Sequence, residues 1–152
     1  MDVSIRPRTP ADLDACVAAL REVHEADGYP TNWPADPAAW LTPPELAAAW
    51  VASLDDVPLA GHALLVNRPS GELELARLFV PPAARRRAVA SALLAAAASV
   101  RRPLVLEVVD DGRSSAIALY EAAGWRHTHS TTAAWTTPAG APVRLRHYEL
   151  SV

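Results

Sequence analysis

The stretch LFVPPAARRRAVASALL, Leu78 to Leu94, joins the end of an apolar strand, two prolines, three arginines and an alanine-rich run. Pro81 and Pro82 have no N–H to give a strand ladder, so the strand stops there. From Ala88 the composition predicts a helix to about Val100. A helix start directs several unpaired backbone N–H groups at one point, and its dipole favours an anion. Arg85, Arg86 and Arg87 are the wrong sign to serve that helix start, so their charge reads as the counter-charge of a bound anion, most commonly a phosphate. A solvated charged corner is the other reading.

Outward from this stretch the chain alternates element types. Val3 to Pro7 reads as a strand. Thr9-Pro10-Ala11-Asp12 then opens a helix that runs to about Ala26, before Gly28. The segment GYPTNWPADPAAWLTPP is too rich in proline for any regular element, and it carries Tyr29, Trp33 and Trp40. Such aromatics either fold onto the core or line a site. Leu46 to Leu54 fits a short helix or a strand equally. Leu59 to Val66 is apolar enough for a buried strand, and Arg68-Pro69-Ser70-Gly71 turns the chain into a strand over Glu72 to Val80. Leu104 to Val109 predicts a further buried strand and Ser115 to Ala123 a short helix. Trp125 to Trp135 and Val143 to Leu150 predict a last strand pair. The expectation is one domain over residues 1–152, α/β, with a mixed sheet flanked by helices.

Composition narrows the function classes. The 152 residues are 51% hydrophobic, with mean hydropathy +0.06 and net charge −3, a poor match to a nucleic-acid binder. No apolar run approaches the ~20 residues that span a bilayer, and the start lacks a signal-peptide layout, so the expectation is a cytoplasmic protein without a membrane partner. Every one of the 14 basic residues is arginine, which leaves no lysine for Schiff-base chemistry. Cys16 is the lone cysteine and reads as a small core residue. His127 and His129, two apart on a strand, would share a face. With no third ligand near them in sequence no metal site is expected.

The segment LFVPPAARRRAVASALL resembles the acetyl-CoA-binding segment of the GNAT superfamily of N-acetyltransferases, and SSAIALYEAAGW resembles that family's second signature. The order of strands and helices resembles the family over nearly the whole chain. The resemblance implies a mostly antiparallel sheet with a splayed central strand pair. It also implies that acetyl-CoA is co-substrate, its pyrophosphate held by Arg85, Arg86, Arg87, Ala88, Val89, Ala90 and Ser91. Backbone amides within Leu78, Phe79 and Val80 would face the thioester. Ala88 stands where the family has glycine, and Arg86 where a small residue is common. Alanine takes helical dihedrals readily, so the turn is expected to survive.

Acetyl transfer to an amine needs an unprotonated acceptor, a stabilised oxyanion and a protonated leaving thiolate. Tyr120 matches the family tyrosine near the CoA sulfur and is the expected acid. Glu74 is the leading base; alternation puts it with Glu72 and Ala76 on one face, opposite Leu73, Leu75 and Arg77. His62 is the runner-up base, and water a third choice. The acceptor, a small primary amine, would lie among Tyr29, Trp33, Trp40 and Trp135. Negative net charge and aromatics suit a cationic or aromatic one. The competing class is a non-catalytic ligand-binding or interaction domain with a degenerate CoA loop. A homodimer is compatible with either.

Overall fold

The computed structural model describes residues 2–112 and 115–151. Its strands are β1 (Ser4–Pro7), β2 (Leu46–Ser53), β3 (Gly61–Asn67), β4 (Leu73–Phe79), β5 (Leu104–Val109), β6 (Arg126–Thr136) and β7 (Pro142–Leu150). Its α-helices are α1 (Leu13–Asp27), α2 (Pro37–Trp40), α3 (Val89–Ala98) and α4 (Ser115–Ala122). The strands form one sheet in the order β1-β2-β3-β4-β5-β7-β6. Among these, β4 and β5 pair in parallel, joined by α3 as the crossover that parallel pairing requires. The other adjacent pairs are antiparallel. The result is the expected mixed, mostly antiparallel α/β sheet.

Each face of the sheet carries its own core. On one, α3 and α4 cover Leu65, Leu73, Leu75, Leu104 and Leu106 through Val89, Leu93, Leu94, Ala97 and Tyr120. The helix-spaced stripe Val89, Leu93 and Ala97 is what seats α3, each buried leucine contributing roughly 1.5–3 kcal/mol. Gly61 lets α3 approach: a Cβ there would lie 2.8 Å from Val89 Cγ1 and 2.9 Å from Leu93 Cδ1. On the other face Cys16, Ala19, Leu20 and Val23 of α1 pack with Leu41, Val51 and Phe79. Burial pushes the Cys16 thiol up to about 11, as befits a packing residue.

The ambiguous segment Leu46 to Leu54 is strand β2. Its alanines favour helix locally, but pairing on both edges, with β1 and β3, overrides propensity. Two bulges also override simple alternation. One lies between the pairs His62↔Phe79 and Leu64↔Ala76, where Arg77 takes φ +54°. The bulge gives β4 an extra residue and turns Arg77 away from the face of Leu73 and Leu75, correcting the alternation reading. The other separates His127↔Tyr148 from His129↔His147. His127 therefore packs against Tyr148 while His129 stacks on His147, and the two histidines do not share a face.

Candidate active site

The parallel pair is short. β4 and β5 pair at Leu73↔Leu104 and Glu74↔Val105, and no register partner is shared beyond these, although both strands continue to Phe79 and Val109. The sheet opens into a splay there, and the bulge at Arg77 lies beside it. A strand edge left unpaired exposes backbone N–H and C=O groups, which is the resource an acyl carbonyl needs. Leu78, Phe79 and Val80 are the stretch of chain so placed.

His62 holds the bulge from behind. It is fully buried and stacked on Phe79, with Nδ1 2.8 Å from the Arg77 carbonyl and Nε2 2.9 Å from Arg8 Nη1. A guanidinium only donates, so Nε2 accepts and Nδ1–H donates to the Arg77 oxygen. Arg8 also donates to the Leu41 carbonyl at 2.6 Å and to Thr42 Oγ1 at 3.1 Å. Desolvation, assisted by the Arg8 and Arg77 charges, lowers the His62 pKa to about 4 against the carbonyl bond. With both nitrogens engaged, His62 positions backbone and has no free lone pair for an acceptor amine.

At the far end of β4 the chain reaches the arginine segment. Arg86 and Ala88 have φ +60° and +63°, in the left-handed region where glycine is at home. The expectation of helical dihedrals for Ala88 is therefore corrected: the backbone keeps a glycine-like shape without the glycine. Ala88 is the N-cap of α3 and exposed, so its methyl group lies at the surface of this cradle. The first-turn N–H groups from Val89 to Ser91 have no partners within the helix. Arg85 pairs with Asp27, and Arg87 with Asp56 at 2.6 Å, while Arg86 is exposed with no ion pair among the described residues. Cradle and charge fit a phosphate-bearing ligand such as the pyrophosphate of acetyl-CoA.

Tyr120 sits on α4, 7% exposed, with its ring against Trp125 and Tyr148. Its hydroxyl has no hydrogen-bond partner among the described residues, yet no described polar side-chain atom is both unpartnered and cut off from solvent. The phenol is thus reachable. Burial raises its pKa, and neighbouring Tyr29 raises it further, so it stays protonated at neutral pH. Tyr29 itself is pushed up to about 12 by burial, with Arg77 pulling it down.

The face of the sheet carrying Glu74 is richer in charge than the sequence reading held. Glu74 accepts a hydrogen bond from Arg68 at 2.7 Å. Glu107 on β5 stands opposite His147 on β7, and desolvation followed by the Glu74 charge raises its pKa. Arg77 lays its guanidinium on the Trp40 ring, 3.8 Å from the ring centre, and donates from Nε to the Trp40 carbonyl at 3.3 Å. Sequence reasoning missed Arg77 and Glu107. For Glu107 the signal was there, a single charge within the apolar strand LVLEVV; for Arg77, which shares β4 with Glu74, the face was set by the bulge.

The four candidate acceptor aromatics divide. Tyr29 and Trp40 meet edge to face, with ring centres 6.2 Å apart, beside Arg77. Trp33 packs instead on α1, against His24 and beneath Arg21. Trp135 is 40% exposed on β6, where Asn32 of the proline-rich loop donates to the Thr136 carbonyl at 2.8 Å. No cluster of metal-ligating side chains occurs among the described residues.

Residues 14–125 match the Acetyltransferase (GNAT) family. No curated protein sequence matches the chain. Among solved structures, an N-acetyltransferase from Staphylococcus aureus Mu50 is 20% identical, covers 99% of both chains and has a TM-score of 0.78. The ribosomal-protein-S18-alanine N-acetyltransferase of Escherichia coli is 19% identical, with 99% of this chain and 96% of that one covered and a TM-score of 0.77. A phosphinothricin acetyltransferase of Sinorhizobium meliloti in complex with acetyl-CoA is 20% identical, with 99% and 88% covered and a TM-score of 0.76. At such identities the likeness to these structures is one of fold, while the family match spans most of the sequence. The strand–turn–helix segment before α3, the splay between β4 and β5 and Tyr120 on α4 thus lie within a chain that belongs to the GNAT family of acetyl-CoA-dependent N-acetyltransferases.

Proposed function

We propose that this protein moves an acetyl group from acetyl-CoA to the primary amine of a small molecule, with residues 1–152 acting as one domain. The observation that carries the reading is the splay between β4 and β5, with the α3 cradle near one end and the Tyr120 hydroxyl reachable by solvent. Acetyl-CoA, when bound, supplies the acyl group as a thioester. The N–H groups from Arg86 to Ser91, with Arg85 to Arg87, would hold its phosphates. Backbone N–H groups within Leu78 to Val80 would donate to the thioester carbonyl oxygen. Glu74, directly or through water, would take the proton that the amine loses as its nitrogen bonds to the acyl carbon. Tyr120 would give its proton to the sulfur as the C–S bond breaks. Proton and electron-pair counts close without a further reactant.

A second reading rests on one observation: Arg85 and Arg87 already pair with Asp27 and Asp56, as they would in a binding domain that no longer uses CoA. Calorimetric titration of acetyl-CoA, then an amine panel followed by thiol release, separates the two. Micromolar binding and amine-dependent thiol release are expected. No binding at millimolar acetyl-CoA would favour the non-catalytic reading. Arg85→Ala and Arg87→Ala are expected to weaken CoA more than pantetheine; equal weakening would remove these arginines from the phosphate site.

A further inference from the structure

The acceptor face of the sheet carries two charges that the protein leaves unmatched. Glu74 and Arg68 satisfy each other at 2.7 Å. Arg77 and Glu107 form no ion pair among the described residues, although each feels the other's charge. Arg77 is partly buried and held in place: its plane lies on Trp40, and its Nε donates to the Trp40 carbonyl. Both Nη groups are left without partners, and neither is cut off from solvent. A guanidinium immobilised this way presents a two-pronged donor edge whose natural complement is a carboxylate.

Glu107 has a candidate partner of its own, and that partner is occupied. His147 lies directly across the strand pair, but its Nε2 is 2.7 Å from the Thr131 hydroxyl and its ring stacks on His129 at 4.2 Å. Desolvation and the His129 charge both lower the His147 pKa, which keeps it neutral near pH 7. Glu107 is exposed and forms no ion pair among the described residues, although the charges of Arg68 and Arg77 reach it. Tyr29 and Trp40 stand beside Arg77, next to the bulge.

We infer that the acceptor is a zwitterion of the α-amino acid class, its carboxylate gripped by the Arg77 fork and its ammonium drawn toward Glu107. This rests on the reading of this face of the sheet as the acceptor side of an N-acetyltransferase. It replaces the cationic or aromatic amine expected from net charge and composition, because Arg77 repels a purely cationic ligand and binds an anionic group.

The test uses the unmodified protein with acetyl-CoA and matched acceptors: phenylalanine with phenethylamine, leucine with 3-methylbutylamine, and each amino acid with its methyl ester. Thiol release gives kcat/KM for each. The amino acids are expected to exceed their decarboxylated and esterified partners by about 10- to 100-fold, the size of a lost charge-assisted hydrogen-bond pair, chiefly through KM. In Arg77→Gln that ratio is expected to collapse toward one, and in Arg77→Lys, which keeps charge but not the fork, to fall part of the way. A wild-type ratio near one overturns the zwitterion while leaving acetyl transfer to small amines standing. A high ratio that survives Arg77→Gln removes Arg77 from recognition and overturns the proposal as well. Binding of acetyl-CoA with turnover of neither class defeats both this inference and the small-amine reading. The wild-type ratio decides the matter even if the Arg77 variants do not fold.

Discussion

The imidazole of His62 spans two guanidinium-bearing residues, accepting from the Arg8 side chain and donating to the Arg77 carbonyl. A second N–H proton on that ring, at Nε2, would lose the Arg8 bond and place two cations together in a dry site. The folded-state pKa of about 4 lies below the ordinary value of about 6.5, so between those values the unfolded chain binds more protons. This contribution to stability is present above pH ~6.5 and is lost as pH falls through ~4. The loss between pH 7 and pH 5 should be about 2 kcal/mol by denaturant unfolding. His62 ring resonances should show a neutral imidazole throughout that interval. A His62 titration near pH 6.5 would mean that the imidazole is not locked behind the bulge.

The helix α3 connects the α3-side core to the anion cradle, so its seating and its first turn are the elements to perturb. Gly61 sits under it, and Gly61→Ala puts a methyl group within contact of Val89, Leu93 and the Phe79 carbonyl. We expect a cost of about 1–3 kcal/mol in unfolding free energy, together with weaker CoA binding, because Val89 lies in the first turn. An unchanged melting temperature with unchanged affinity would show that α3 shifts freely. At Ala88 the left-handed φ costs roughly 1–2 kcal/mol for an L-residue, while glycine adds unfolded-state entropy worth about 0.4–1 kcal/mol. Ala88→Gly should therefore be neutral or stabilising by up to about 1.5 kcal/mol and should tighten CoA binding in calorimetry. A loss of more than about 1 kcal/mol would contradict a strained alanine.

Across the whole molecule, the catalytic reading assigns one residue to each of two elements, Tyr120 on α4 and Glu74 on β4. Tyr120→Phe should lower kcat by about 100-fold or more while acetyl-CoA affinity holds within about threefold, since the hydroxyl alone is removed. Glu74→Gln should lower kcat at neutral pH by about 10-fold or more while acetyl-CoA affinity holds. Full turnover in both variants would strip these residues of their roles and point to water and the backbone as sufficient.

How much of this was legible in the sequence depends on range. The strand–proline–arginine–helix order, the Gly28 stop and the LYEAAGW segment are local, and local chemistry determines them: missing N–H groups, left-handed glycine and apolar spacing. From these followed the family, the order of elements and the strand–turn–helix shape before α3. The position of Arg77 was not legible, because a one-residue bulge reverses which face a side chain takes, and bulges are set by the pairing partner. The separation of His127 from His129 has the same cause. Whether Leu46 to Leu54 became strand or helix depended on two neighbours far along the chain. The state of His62, bonded through both nitrogens to residues 54 positions before it and 15 after it, likewise belongs to the tertiary structure alone. Sequence determined which elements form and what charge they carry. Packing decided which charges share a face of the sheet, and which of them already have partners, because both depend on contacts between residues that are distant in the chain.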